Sequence, residues 1–164
     1  MKKIKRVLVS VYNKSKLFPL VEILSEAGVE IVSTGGTQKI LEKNGVKVTL
    51  VEDITEYPSI LNGRVKTLHP KIFGGILGRA DERIDVQEMK QFNISKFDMV
   101  IVDLYPFEET VNAKKTQNEI IEKIDIGGVS LIRAAAKNFK NVLVVPSINE
   151  FKLAMELIIS KNCA

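Results

Sequence analysis

Tryptophan is absent from this chain of 164 residues, cysteine and histidine occur once each, and aromatic side chains make up only 6% of it. A lone cysteine, Cys163, cannot close a disulfide within the chain, and one histidine leaves no Cys/His spacing suited to zinc. A disulfide-stapled secreted scaffold and a zinc module are therefore excluded, no metal site is expected, and a reducing, cytoplasmic setting is. Long apolar runs are missing as well. The start Met1-Lys2-Lys3-Ile4-Lys5-Arg6 has the charge of a signal peptide, but the apolar stretch after it is short and is broken by Asn13, Lys14 and Lys16. No window has the length of a membrane span. Nor is there a dense basic run interleaved with aromatics. The balance of 24 Lys and Arg against 20 Asp and Glu leaves +4, a mild excess that favours anionic partners without implying a nucleic-acid surface.

What the sequence does contain is the material of one globular domain, 1–164, with 45% hydrophobic and 27% charged residues. Val7-Leu8-Val9-Ser10-Val11 is too continuously apolar for a strand with one wet face, so it predicts a strand covered on both sides. Leu17, Leu20, Val21 and Leu24 follow at helical spacing, ended by Gly28. A strand at 29–33, a short helix at 37–43 and a strand at 46–51 continue the rhythm. A long connection from about 52 to 78, a helix at 85–92 and a strand at 99–104 come next. Helices at 116–123 and 128–137, a strand at 142–145 and a helix at 149–160 complete the chain. Strands separated by helices require crossovers, which build a doubly wound parallel sheet in three layers, with ligands bound beyond the carboxyl ends of the strands.

The chemically interesting residues fall at those ends. Lys14 follows the first strand. Ser33-Thr34-Gly35-Gly36-Thr37 follows the second, where two glycines let backbone N–H groups approach a ligand and the helix after them offers unpaired donors and its positive dipole end. This suits a single phosphate; an ordinary turn capped by Thr37 is the competing explanation. Gly63-Arg64-Val65-Lys66-Thr67-Leu68-His69-Pro70 gathers two fixed cations, a hydroxyl and the only histidine into one connection. Turn formers on either side make it a semi-rigid loop, read either as a solvated basic loop or as an anion site. Asp103 lies at the end of the fourth strand and Tyr105 just beyond it, and Asp125 precedes a second glycine pair, where it can simply cap the following helix. Arg133 and Lys137 share one face of that helix.

Together, Lys14, the residues 33–37 and 63–70, Leu104-Tyr105-Pro106-Phe107, Asp125-Ile126-Gly127-Gly128-Val129 and Arg133-Ala134-Ala135-Ala136-Lys137-Asn138 resemble the IMP cyclohydrolase domain, in that family's order and over nearly the whole chain. That domain is the amino-terminal half of a bifunctional purine-biosynthesis enzyme whose other half is the aminoimidazole carboxamide ribonucleotide (AICAR) transformylase. The second half has no counterpart in this sequence, so an isolated or truncated domain is expected. The resemblance implies a five-stranded fold similar to methylglyoxal synthase, dehydrative closure of the formylated ribonucleotide (FAICAR) to IMP, no cofactor and no metal. As partners it implies a purine nucleotide monophosphate, the transformylase domain and a homodimer, with no nucleic acid and no membrane.

It also implies roles. Lys66 would polarise the formyl oxygen, Asp125 and Lys137 would form a proton-transfer pair, and Tyr105 would orient or assist as an acid. Lys14 and Ser33, Thr34, Gly35, Gly36 and Thr37 would hold the phosphate. Arg64 and Thr67 would position the base and formyl group, with Asp103, where relatives more often carry Asn, and Gly127 completing the binding set. His69 is expected to pack and hydrogen-bond only. The Asp125–Lys137 pair carries a geometric condition, because an unbroken helix from 127 to 137 would hold the two about 15 Å or more apart. Two other classes share the fold: a methylglyoxal synthase, and a non-catalytic nucleotide-sensing module.

Overall fold

Alternation along the central strand sets the architecture. In β1 (Arg6–Val11), Val7, Val9 and Val11 turn to one face and Leu8 to the other, each into a separate buried cluster. The computed structural model describes residues 3–161 and 163. β1 pairs in parallel with β2 (Glu30–Ser33) on one side and β4 (Met99–Asp103) on the other. β3 (Thr49–Leu50) and β5 (Leu143–Val145) complete the edges, giving the order β3-β2-β1-β4-β5. On one face, Leu17, Leu20, Val21 and Leu24 of α1 (Leu17–Glu26) pack with Phe151, Ala154 and Ile158 of α9 (Phe151–Lys161). On the other, Ile72 and Ile76 of α4 (Pro70–Leu77) meet Leu131, Ala134 and Ala135 of α8 (Gly127–Lys137). The expected three-layer parallel α/β fold is therefore present. Among the described residues no helix is long and apolar enough to cross a membrane.

The elements depart from expectation where glycine or proline sits inside them. α2 (Gly35–Lys43) begins two residues before the expected Thr37, so Thr34, with extended backbone, is its N-cap residue and both glycines lie within the first turn. β3 is shorter than 46–51 because Val51 already starts α3 (Val51–Thr55), whose first turn carries Glu52 and Asp53 where the helix dipole favours them. α4 interrupts the expected long connection. Its Pro70 occupies the first turn, its N-cap is His69, and the imidazole Nδ1 accepts the Lys71 N–H at 3.2 Å, the hydrogen-bonding role foreseen for that residue. Gly74 and Gly75 disguise this helix in the sequence, yet a methyl group on Gly75 would stand 2.6 Å from the Ser95 carbonyl oxygen, so close packing dictates the small residue. α5 (Arg83–Gln91) and α7 (Gln117–Ile121) lie close to the expected 85–92 and 116–123, whereas α6 (Phe107–Asn112) follows Pro106 in a stretch where no element was expected.

Asn138, buried at the end of α8, ties that helix to α4: its Nδ2 donates to the carbonyls of Ile76 at 2.7 Å and Gly78 at 3.1 Å. Asn138→Ala is expected to cost about 1–3 kcal/mol by leaving those carbonyls unpaired. Asn138→Asp should cost more, since it turns an acceptor charge toward two acceptors; urea denaturation of both variants checks the order, and equal midpoints for the wild type and the Asn138→Asp variant would refute it.

Candidate functional site

The start of α2 lies against the end of β1. The Lys14 ammonium donates to the carbonyls of Val11 at 3.2 Å and Tyr12 at 2.9 Å, and a methyl group on Gly36 would lie 3.9 Å from its Cε. One on Gly35 would lie 3.7 Å from the Lys66 Nζ. Two ammonium groups thus converge on the first turn of a helix, where unpaired N–H groups already favour an anion. Partial burial lowers the pKa of Lys14 most; the nearby Asp103 carboxylate opposes the shift and the Lys66 charge adds to it. The hydroxyls expected to join this cradle face inward instead. Ser33 is fully buried and donates to the Val9 carbonyl at 2.7 Å, and Thr37 donates to the Val11 carbonyl at 3.2 Å. Ser33 thereby fastens β2, and Thr37 fastens α2, to β1, and neither hydroxyl donates toward the cradle. Gly35, Gly36 and the N-cap Thr34 remain in it.

Lys66 is presented by a pinned turn. Ile60 and Val65 pair through backbone hydrogen bonds, and Leu61, Asn62 and Gly63 between them all have positive φ, +52°, +54° and +85°. Only Gly63 adopts this without a steric cost, and a methyl group there would also meet the Lys66 Cε at 2.7 Å. The next residue points elsewhere: Thr67 is buried, and a methyl group on Gly127 would lie 3.4 Å from its Oγ1. Consecutive residues of the loop therefore address two helix starts, Lys66 that of α2 and Thr67 that of α8.

At the second start, Asp125 Oδ1 accepts the Gly128 N–H at 2.6 Å. A methyl group on Gly128 would fall within 2.9 Å of both carboxylate oxygens and 2.8 Å from Leu104 Cδ2, so the carboxylate can sit here only against glycine. Capping by Asp125 and nearness to the loop coexist. Lys137 does not join it: α8 runs unbroken from Gly127 to Lys137, so a rise of 1.5 Å per residue separates its ends by about 15 Å. Lys137 is exposed in the last turn. The expected Asp125–Lys137 pair is thereby corrected, since no bend brings the lysine back. Asp103 is also reassigned. Its oxygens accept the N–H groups of Asn13 at 2.9 Å and Ile148 at 3.3 Å, clasping the loops after β1 and β5, a structural task not expected from the sequence. Arg64 stands on the rim, paired with Glu122 at 2.8 Å, both mostly exposed.

Tyr105, after β4, meets Tyr12, after β1, edge to face with ring centroids 5.2 Å apart. The order of the sheet reverses between β1 and β4, so the pair sits at the crevice where doubly wound folds take ligands. Lys123 Nζ lies 4.9 Å from the Tyr12 centroid and 5.3 Å from that of Tyr105. Neither Tyr12 nor Lys123 is singled out by sequence reasoning, because a contact across 111 positions leaves no periodic signal. Among the described residues no group of three or more His, Cys, Asp or Glu is arranged to hold a metal ion. Two grooves at the opposite, amino-terminal end of the strands, one beside Ile4 and Leu143 and one beside Met89 and Phe97, include none of these residues.

A family model described as MGS-like domain matches residues 16–130, which include both helix starts and the loop between them. The chain belongs to the MGS-like domain family. Among curated relatives of this MGS-like domain, the bifunctional purine biosynthesis protein PurH of Bacteroides thetaiotaomicron is 54% identical over 157 residues, covering 96% of this chain and 31% of that protein. The PurH of Dictyostelium discoideum is 49% identical over 158 residues, covering 96% and 29% respectively. The chain thus spans about a third of the length of those relatives. A solved structure, described as the crystal structure of ForH, superposes with a TM-score of 0.76 at 29% identity, covering 98% of this chain and 82% of that one.

The lowered pKa of Lys14 gives this MGS-like domain a pH signature. Its protonated form is disfavoured in the folded chain, so this group adds stability as pH rises from its lowered pKa toward the unfolded value near 10.5. A bound phosphate reverses the preference and draws a proton onto the amine. Calorimetric titration of a phosphate monoester at about pH 9, in buffers of different ionisation enthalpy, is expected to show net proton uptake that disappears in Lys14→Met. Identical heats in every buffer would refute it.

Proposed function

We propose that this chain is an IMP cyclohydrolase, closing the ring of FAICAR to give IMP and water. The observation that carries the reading is the single loop that turns Lys66 toward the anion-favouring start of α2 and Thr67 toward the carboxylate-bearing start of α8. Such a loop suits a substrate whose phosphate lies on Lys14 and the start of α2 and whose reacting centre lies between Lys66 and Asp125. The 54% identity to a bifunctional purine biosynthesis protein supports the same substrate class.

In this reading Lys14 and the N–H groups of α2 bind the phosphate, with Thr34 at its edge. The carboxamide nitrogen attacks the formyl carbon, giving a tetrahedral carbinolamine. Asp125 receives the nitrogen's proton, while the ammonium of Lys66 stabilises the charge growing on the formyl oxygen. Lys66 or the Tyr105 hydroxyl gives that oxygen its first proton and Asp125 returns the second, so that it leaves as water; the C=N bond forms as the formamido nitrogen releases its own proton to the first donor, and atoms and electrons balance without a redox partner. Thr67 and Gly127 form the floor between the two ends, and Arg64 guards the rim. The reaction belongs to a cytoplasmic enzyme with a purine nucleotide monophosphate as ligand, a transformylase domain as companion and a homodimer as assembly. No step requires a cofactor.

A lyase acting on a small phosphate ester would use the cradle but leave Asp125 and Tyr105 without work; a sensing module would need neither. The test is absorbance-monitored conversion of FAICAR by this chain beside Lys66→Ala. Loss of roughly 10²–10³-fold in kcat with little change in KM is expected for a group that acts on transition-state charge. A parallel loss of binding would make Lys66 a binding residue, and no conversion by folded protein that still binds IMP would favour the sensing module.

A further inference from the structure

The segment from α6 to the start of α8 crosses the carboxyl edge of the sheet with little to hold it. Neither α6 nor α7 buries a side chain. α7 is stabilised locally by a capping box, in which Thr116 Oγ1 accepts the Glu119 N–H and the Glu119 carboxylate accepts the Thr116 N–H, and this fixes the helix without docking it. Beyond it, burial alternates: Lys123, Asp125 and Gly127 are half-buried, whereas Glu122, Ile124 and Ile126 are exposed. The linker is a turn, with the Lys123 and Ile124 N–H groups donating to the carbonyls of Ile120 and Ile121 and Ile126 already in the helical region, and it leaves Lys123 and Asp125 half-buried.

Two attachments hold this linker ahead of Asp125. Arg64–Glu122 is an exposed ion pair of the kind that contributes little. Lys123 is different, because its ammonium lies within 5.3 Å of the centroids of two rings that stand just beyond the ends of β1 and β4, the paired central strands of the sheet. We infer that Lys123 is a positioning residue: seated on Tyr12 and Tyr105, it holds the α7–α8 linker so that Asp125 stays at the start of α8 beside Thr67. It touches no reacting atom. In catalysis the inference rests on the cyclohydrolase reading above, but the clamp itself is a property of the free chain.

The clamp has a direct observable, the Gly128 amide, whose hydrogen is held by Asp125. Amide hydrogen exchange of the whole chain is compared for wild type, Lys123→Gln, Lys123→Arg and Tyr12→Leu, together with kcat and KM for FAICAR. For Lys123→Gln, exchange at Gly128 and over 122–126 should quicken roughly five- to thirtyfold, as loss of two cation–π contacts predicts, with the thermal midpoint unchanged. kcat should fall about tenfold while KM moves less than about twofold, since a displaced general base affects the chemical step. Arginine, which stacks on aromatic rings, should restore most of both, and Tyr12→Leu should reproduce the exchange effect. Unchanged exchange in Lys123→Gln, or a loss that arginine does not restore, overturns the inference. If the wild type converts no FAICAR, the cyclohydrolase reading fails and exchange alone decides the clamp.

Discussion

Bringing two lysine ammonium groups to one helix start is the constraint on which the rest of the site depends. Like charges repel, and partial burial of Lys14 adds to the cost, as its lowered pKa records. The fold meets that cost with fixed dipoles and geometry. Carbonyls at the end of β1 accept from Lys14, and the closed Ile60–Val65 turn fixes the backbone from which Lys66 reaches the start of α2. A site preloaded with positive charge responds strongly to negative charge, whether a bound phosphate or one that grows during a reaction, because an ammonium then changes from a liability into a partner.

Glycine is the other half of this arrangement. Each helix start carries a pair: at α8 a methyl group on Gly128 would displace the Asp125 carboxylate, at 2.8 and 2.9 Å, while at α2 ones on Gly35 and Gly36 would stand in ordinary contact with Lys66 and Lys14, at 3.7 and 3.9 Å. The loop between them can then be short. The chain bends at Lys66 and Thr67, so the two reach different helices from neighbouring positions without a second loop.

Much of this was legible in the chain. The continuous apolar run of β1, the helical spacing of Leu17 to Leu24 and the alternation of strands with helices specify a parallel sheet, because each has one period and one way to be buried. Lys14, Lys66 and the glycine pairs were readable as well, since anion chemistry leaves a compositional mark. Donor direction was not. Ser33 and Thr37 look like phosphate ligands in sequence, and only packing reveals that their hydroxyls are needed by β1. Asp103 likewise spends its oxygens on two loops distant in sequence, and the separation of Asp125 from Lys137 depended on whether a helix with a glycine pair at its start would bend later, which it does not. α4 was hidden because glycines chosen for close packing resemble glycines chosen for flexibility.

The pairing of Tyr12 with Tyr105 has an optical consequence. With no tryptophan, ultraviolet emission comes from three tyrosines, at 12, 57 and 105, and all three are at the surface: 42%, 54% and 40% exposed. None lies in the core. Two of the three share an edge-to-face contact over the crevice with a lysine against both rings. The intrinsic fluorescence of this protein is therefore a signal from the mouth of its site, where in most domains it reports the packing of the interior.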